Sequence, residues 1–350
     1  MNRSFILSLS LICLLLPAGG CSDSACISDV ETLVPLQPSF STATASVTRS
    51  IVSETGPGDG KVNHIGVFLT RSTDGHTAYA ASSDSYTIFT TSDGSTWTGA
   101  KTVNLRTEQA RLYAWYPAEG GGIPSDSGST RTIPVSLPAE QTFDGASATA
   151  CSQADYLYGS ANSTAGDATA ITVDCNTNSP TIYLQHALTQ LVFTIEYKAG
   201  RVPDAEYDRV KSISLTGPFR AGTGTMQLND GTLSALSQSS ATLKFSVSAH
   251  PQLPGAIGSP EIVAYGLAAP KAATTGSVTV KLILGKADDT VNDRTLTVAT
   301  DLFNAAWEKG KRYIYHLLLD KNDITLKTVQ IKGWTEVPTD PPVIVPPVIE

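Results

Sequence analysis

Positive charge is scarce in this chain. Its 350 residues carry 24 Lys and Arg against 32 Asp and Glu, a formal net charge of −8. A protein that lives on phosphate backbones needs the opposite sign, so nucleic-acid binding is excluded as the main function. Charged residues of both signs amount to only 16%, against about a quarter in an average globular chain, which argues against helical bundles and coiled coils. Chemistry-bearing spacings are missing too. His64, His76, His186, His250 and His316 are scattered, and neither Cys-x-x-Cys nor His-Glu-x-x-His nor a Gly-x-Ser-x-Gly elbow occurs. No catalytic residue, metal or cofactor is therefore expected. His186 and His316 lie in apolar, strand-like runs, where an imidazole bonded to backbone is expected rather than a catalyst. Gly56 to Lys61 has the look of a phosphate loop, but Lys61 is followed by Val62 instead of Ser or Thr, and a turn before a strand is expected.

Long apolar runs are also missing. The run Phe5 to Leu16 is too short to span a bilayer. With Arg3 before it and Ala18-Gly19-Gly20 after it, residues 1–20 have the layout of a secretory signal. Cys21 follows directly and resembles a bacterial lipobox cysteine, although Ala18 stands where Leu is preferred. Cys13 falls in the signal, which leaves Cys26, Cys151 and Cys175. Cys151 and Cys175 bracket a Ser/Thr/Asn-rich segment; they pair in an oxidising compartment or stay as small buried residues.

What the chain does have is 28 Gly, 20 Pro and abundant Ser and Thr, the make-up of an all-β exported protein. Residues 21–49 read as a lipidated propeptide, with a polar tether and an extended first strand that Pro35 and Pro38 place at a sheet edge. Strand runs then recur at Ile65 to Leu69, Tyr86 to Thr90 and Ala110 to Tyr116, with turn clusters between them, at the spacing of a sandwich. Residues 118–180 are rich in Gly, Ser, Thr and Asp, with weak strands at Arg131 to Val135 and Ala170 to Val173, and long surface loops are expected there. A second strand series runs from Thr181 to Trp334, interrupted by one short helix over Phe303 to Glu308. The expected organisation is one β-sandwich domain over 50–180, another over 181–336, and a Pro-rich tail over 337–350. In that tail Val343, Ile344, Val345, Val348 and Ile349 have nothing nearby in sequence to bury them. An extended apolar strand in search of a partner is expected.

In order along the chain, several motifs resemble those of the Bacteroidetes fimbrillin superfamily, the lipoprotein-precursor subunits of type V pili. They are Cys21, the Thr48-Arg49 pair, Tyr113-Ala114-Trp115-Tyr116-Pro117, Asp155-Tyr156-Leu157-Tyr158-Gly159, His186-Ala187-Leu188, Tyr265-Gly266-Leu267, Trp307-Gly310-Tyr313 and Ile331-Lys332-Gly333-Trp334. The resemblance implies two transthyretin-like β-sandwich domains and export as a lipoprotein to the outer membrane. It further implies cleavage between Arg49 and Ser50 by a trypsin-like protease, and head-to-tail assembly with other fimbrial subunits by strand complementation. It identifies no surface ligand. A surface glycan-binding lipoprotein is the alternative, with Tyr86 and Trp97 as an aromatic platform; an exported hydrolase would need a carboxylate pair or triad that is not visible.

Overall fold

The computed structural model describes residues 33–42, 54–55, 61–118, 122–143, 155–200, 206–248, 250–253, 260–286, 292–320 and 323–333. Among these the regular elements are all strands. The first nine are β1 (Val34–Pro35), β2 (Ser39–Thr42), β3 (Glu54–Thr55), β4 (Lys61–Val62), β5 (His64–Arg71), β6 (Tyr86–Thr90), β7 (Thr98–Gly99), β8 (Asn104–Leu105) and β9 (Ala110–Tyr116). Six more follow: β10 (Ser125–Asp126), β11 (Arg131–Leu137), β12 (Glu140–Phe143), β13 (Leu157–Ser160), β14 (Ile171–Val173) and β15 (Thr181–His186). The last nine are β16 (Thr189–Tyr197), β17 (Arg209–Gln227), β18 (Leu233–Ser234), β19 (Gln238–Val247), β20 (Glu261–Ala268), β21 (Val278–Gly285), β22 (Arg294–Thr300), β23 (Lys311–Asp320) and β24 (Asp323–Gly333).

Three main sheets result. The first runs β2-β15-β13-β9-β5-β6-β7, with β14 also on β9. A second runs β10-β11-β17-β19-β12 and carries β18, β21 and β22, while the third is β20-β16-β23-β24. Two hydrophobic cores lie between them. The earlier one is built mainly from residues between Leu36 and Leu188, and the later one from residues between Leu191 and Leu326. The 19-residue β17 serves both, since Ile213 to Thr216 pair with β19 and β21 whereas Gly222 to Gln227 pair with β11. Phe193 of β16 meets Phe245 of β19 across the later core at 5.6 Å between ring centroids, the face-to-face contact of a sandwich. In the earlier core Trp115 lies over Gly66, where any Cβ would fall inside the indole. Glycine is there for close approach.

Three sequence expectations meet a different structure. The polar stretch 118–180 supplies core residues Ile133, Val135, Leu137, Leu157, Tyr158, Ile171 and Val173, because short alternating strands bury one face however polar the other. Phe303 to Glu308 is turn, not helix. The Trp307 N–H and C=O bond across to Lys271, and its indole stacks on Phe219 at 5.0 Å while donating to the Tyr315 hydroxyl, so the lateral bridge takes the groups a helical turn would use. Finally, His186 and His316 each meet a carboxylate. His186 Nδ1 lies 2.9 Å from Asp155, and His316 Nε2 lies 3.1 Å from Glu196 while its Nδ1 meets Thr194 Oγ1. The Lys327 hydrogen bond, then burial's opposing effect and His316, leave the Glu196 carboxyl below its ordinary pKa.

Candidate functional site

Pro35 and Pro38 hold residues 33–42 extended and withhold two backbone donors, so the segment suits a sheet edge. There it lies. β2 is the outermost strand of the first sheet and runs parallel to β15, with Ser39 opposite Thr181 and Phe40 opposite Ile182. β1 pairs antiparallel with β8, Val34 opposite Leu105. Between the two strands the Leu36 N–H donates to Val103 C=O at 2.9 Å, Gln37 N–H to Asn178 C=O at 2.8 Å, and Ser39 N–H to Pro180 C=O at 3.0 Å. The Asn178 amide donates in return to the Pro35 carbonyl at 2.9 Å.

The side chains show why this edge is more than a place to rest. Leu36 and Phe40 are each only 6% exposed and belong to the earlier core, whereas Leu33 is 49% exposed. The Phe40 ring sits edge-on to Trp97 at 4.8 Å and tilted to Phe89 at 5.7 Å. Burial at about 1.5–3 kcal/mol for each large apolar side chain makes these two residues the main hold on the segment. Lifting it off would bare a trough floored by Phe89, Trp97, Val103 and Ile182, beside a β15 edge with unpaired backbone groups. Tyr79 braces the end of the trough, because its hydroxyl donates to Glu108 C=O and accepts from Arg106 N–H. Burial pushes the Tyr79 pKa up, which keeps that hydroxyl a neutral donor.

Of the residues singled out in the sequence, Cys21, Arg49, Ser50, Cys151 and the tail residues Val343, Ile344, Val345, Val348 and Ile349 lie outside the described residues. Cys175 is buried and disulfide-bonded. Tyr86 stacks on Trp115 at 6.0 Å and Trp97 meets the Phe40 ring edge-on at 4.8 Å, and both side chains are half-buried. An open concavity of about 570 Å³ is lined by Arg220, Lys271, Thr274 and Trp307 and contains no carboxylate pair. Among the described residues no cluster of His, Cys, Asp and Glu is placed to hold a metal. In the sequence Phe89 was legible only as part of the strand run Tyr86 to Thr90, Trp97 only as half of an aromatic platform, and Val103 not at all. Period-two alternation marks a buried face without saying which strand covers it.

The fimbrillin-like family matches residues 48–334 of the chain. The chain belongs to that family. A fimbrillin-like protein is a structural, non-enzymatic subunit of a cell-surface fimbria that associates with other subunits. The fold agrees with solved structures from three species. A candidate cell adhesion protein of Bacteroides ovatus superposes with a TM-score of 0.55 at 16% identity, covering 88% of this chain and 99% of its own. One from Bacteroides uniformis gives 0.54 at 13% identity, covering 86% and 98%. A fimbrial protein from Bacteroides vulgatus gives 0.50 at 15% identity, covering 86% and 99%. No curated protein sequence matches this fimbrillin-like chain significantly. The family match begins at residue 48, past the segment that fills the trough.

Proposed function

We propose that this fimbrillin-like subunit is exported with lipid on Cys21, is cut between Arg49 and Ser50 by a trypsin-like protease, and then polymerises by strand complementation at the outer membrane. One observation carries the reading: an N-terminal segment outside the family-matched residues packs Leu36 and Phe40 into the earlier core at the edge of the first sheet. While seated, it blocks the edge against other strands. Once it is gone, a strand from another subunit can supply the same backbone bonds and apolar anchors. The apolar tail at Val343, Ile344, Val345, Val348 and Ile349 is the strand assigned to that role.

Its prolines do not disqualify it. Pro346 and Pro347 would interrupt a continuous ladder, yet the present occupant carries Pro35 and Pro38 and still holds on through the N–H groups of Leu36, Gln37 and Ser39. Adhesion then follows from display on the polymer.

Two measurements test the processing steps. Replacing Cys21 with Ser is expected to abolish acyl labelling and shift the protein out of the outer-membrane fraction, since stable attachment needs more than one chain's hydrophobicity. Unchanged labelling and fractionation would overturn the lipid assignment. The surface form is expected to begin at Ser50, and Arg49→Ala to accumulate uncut and unpolymerised. A surface N-terminus elsewhere, such as after Arg71 at the end of β5, would refute the processing site.

A further inference from the structure

The open concavity of about 570 Å³ lies where β17 loses its regularity. Against β19 the register of that strand shifts between Thr216 and Phe219 and again between Phe219 and Ala221, and such bulges re-aim side chains. Phe219 is buried and stacks on Trp307, whereas Arg220 lines the concavity. Pro270, Lys271, Ala272 and Thr274, which follow β20, form another wall. That wall is tied to the turn before β23. The Lys271 and Trp307 backbones exchange two hydrogen bonds, at 3.0 and 2.9 Å, and the Thr274 N–H donates to Asn304 C=O at 2.9 Å.

Two cations line this site, and among the described residues neither meets a carboxylate. Arg220 Nη2 donates to Pro270 C=O at 2.9 Å, which uses one of the five N–H groups of a guanidinium. Lys271 Nζ donates to Ala305 C=O at 2.8 Å, lies 3.4 Å from Thr274 Oγ1 and sits 5.1 Å from the centre of the Trp307 ring. Carbonyls and a ring hold these two groups in place without neutralising them. Other half-buried or buried cations of this acidic chain are matched, Lys211 by Asp293 and Arg131 by Asp126. Burial pushes the Lys271 pKa down and no acidic group offsets it, so an anion seated here would restore what desolvation has removed.

We propose that the concavity binds a pyranose sugar bearing a carboxylate, a hexuronate or a sialate, with Arg220 and Lys271 on the carboxylate and Pro218, Pro270 and Ala272 along the ring. The volume falls in the range of small-molecule sites, about 300–1,000 Å³, and is too large for a lone inorganic ion. Trp307 is only 2% exposed, and Phe219 and Lys271 occupy its ring. No apolar slot is therefore left for an aromatic or aliphatic acid, and no open aromatic face for stacking a neutral sugar. The spare guanidinium N–H groups and the Thr274 hydroxyl suit a carboxylate flanked by sugar hydroxyls. Charge is the discriminating contact. The site shares no residue with the trough and needs neither cleavage nor polymerisation.

The test titrates the uncut full chain in a calorimeter with trigalacturonate and with sialyllactose, each beside its neutral counterpart, the galacturonate methyl ester and lactose. At least one acidic sugar is expected to bind saturably, about tenfold or more tighter than its neutral form, and to weaken as salt is raised. Which of the two binds names the source of the carboxylate. Lys271→Gln and Arg220→Gln are each expected to weaken binding by about tenfold or more, the order that one charge-assisted hydrogen bond implies. Lys271→Arg, which keeps the charge, should retain binding. Lys198→Gln is the control, because Lys198 faces Asp320 at the other end of β23 from Trp307. The wild-type comparison of charged with neutral sugar decides the matter even where a substitution disturbs the loop. Binding of neither acidic sugar, equal binding of the neutral forms, or undiminished binding by Lys271→Gln would overturn the site. Equal binding of a triglutamate peptide would overturn its assignment to a sugar.

Discussion

Phe40→Ala is expected to destabilise the uncut protein by about 3–5 kcal/mol, the range for removing a buried aromatic from a packed core. Phe40 is 6% exposed and its ring contacts Trp97 and Phe89, so truncation leaves a cavity that these two rings cannot close without moving. Denaturant unfolding of the intact chain reads the loss directly. A second readout isolates the docking itself. After cleavage at Arg49, the wild-type N-terminal fragment should leave the trough slowly, and the Phe40→Ala fragment at least about a hundredfold faster, the ratio that some 3 kcal/mol implies. Ser41→Ala is a suitable control on the same strand, because the Ser41 hydroxyl bonds only to the carbonyl of its neighbour Thr42. If Phe40→Ala cost less than about 1 kcal/mol, well below the core-truncation range, the segment would be a passenger on the sheet rather than its plug.

The edge position of this segment was legible because proline carries positional meaning. Pro35 and Pro38 exclude a central strand, and the alternation of Leu36 and Phe40 with polar neighbours marks one buried face. Its partners were not legible. Pairing of Ser39–Thr42 with Thr181–Leu184 joins residues some 140 positions apart, and no local pattern encodes a contact of that separation. The polar middle was underestimated for a different reason. Strands such as β11, with every second residue buried, need only three or four apolar side chains to join a core, too few to lift the local composition. Trp307 shows the reverse error, since good helix formers around it lose to the depth of the indole's contact with Phe219 and Tyr315.

Truncation after Trp334 is expected to abolish head-to-tail polymer while leaving the stability of the uncut monomer unchanged. The closing strand β24 pairs with β23 from Lys311–Gly333 to Asp320–Asp323 with one register shift between His316 and Leu317, so the described sheet needs no strand beyond Gly333. The trough, by contrast, needs an occupant once the N-terminal segment leaves. Leu36 and Phe40 define what it accepts: apolar side chains on an extended strand that can do without some of its backbone donors. Val343, Ile344, Val345, Val348 and Ile349 meet that description with Pro346 and Pro347 among them, and each aliphatic buried contributes on the order of 1–2 kcal/mol. Losing all five removes enough to shift association by many powers of ten. The comparison should use chains cut at Arg49 and freed of the N-terminal fragment, so that the trough is open in both, and should read polymer by size-exclusion chromatography and electron microscopy. Equal polymer from the truncated and full chains would assign the donor strand elsewhere. Polymer from neither would mean that cutting does not empty the trough. Polymer from the full chain alone, suppressed by adding back a peptide of residues 33–42, would tie the tail and the N-terminal strand to the same trough.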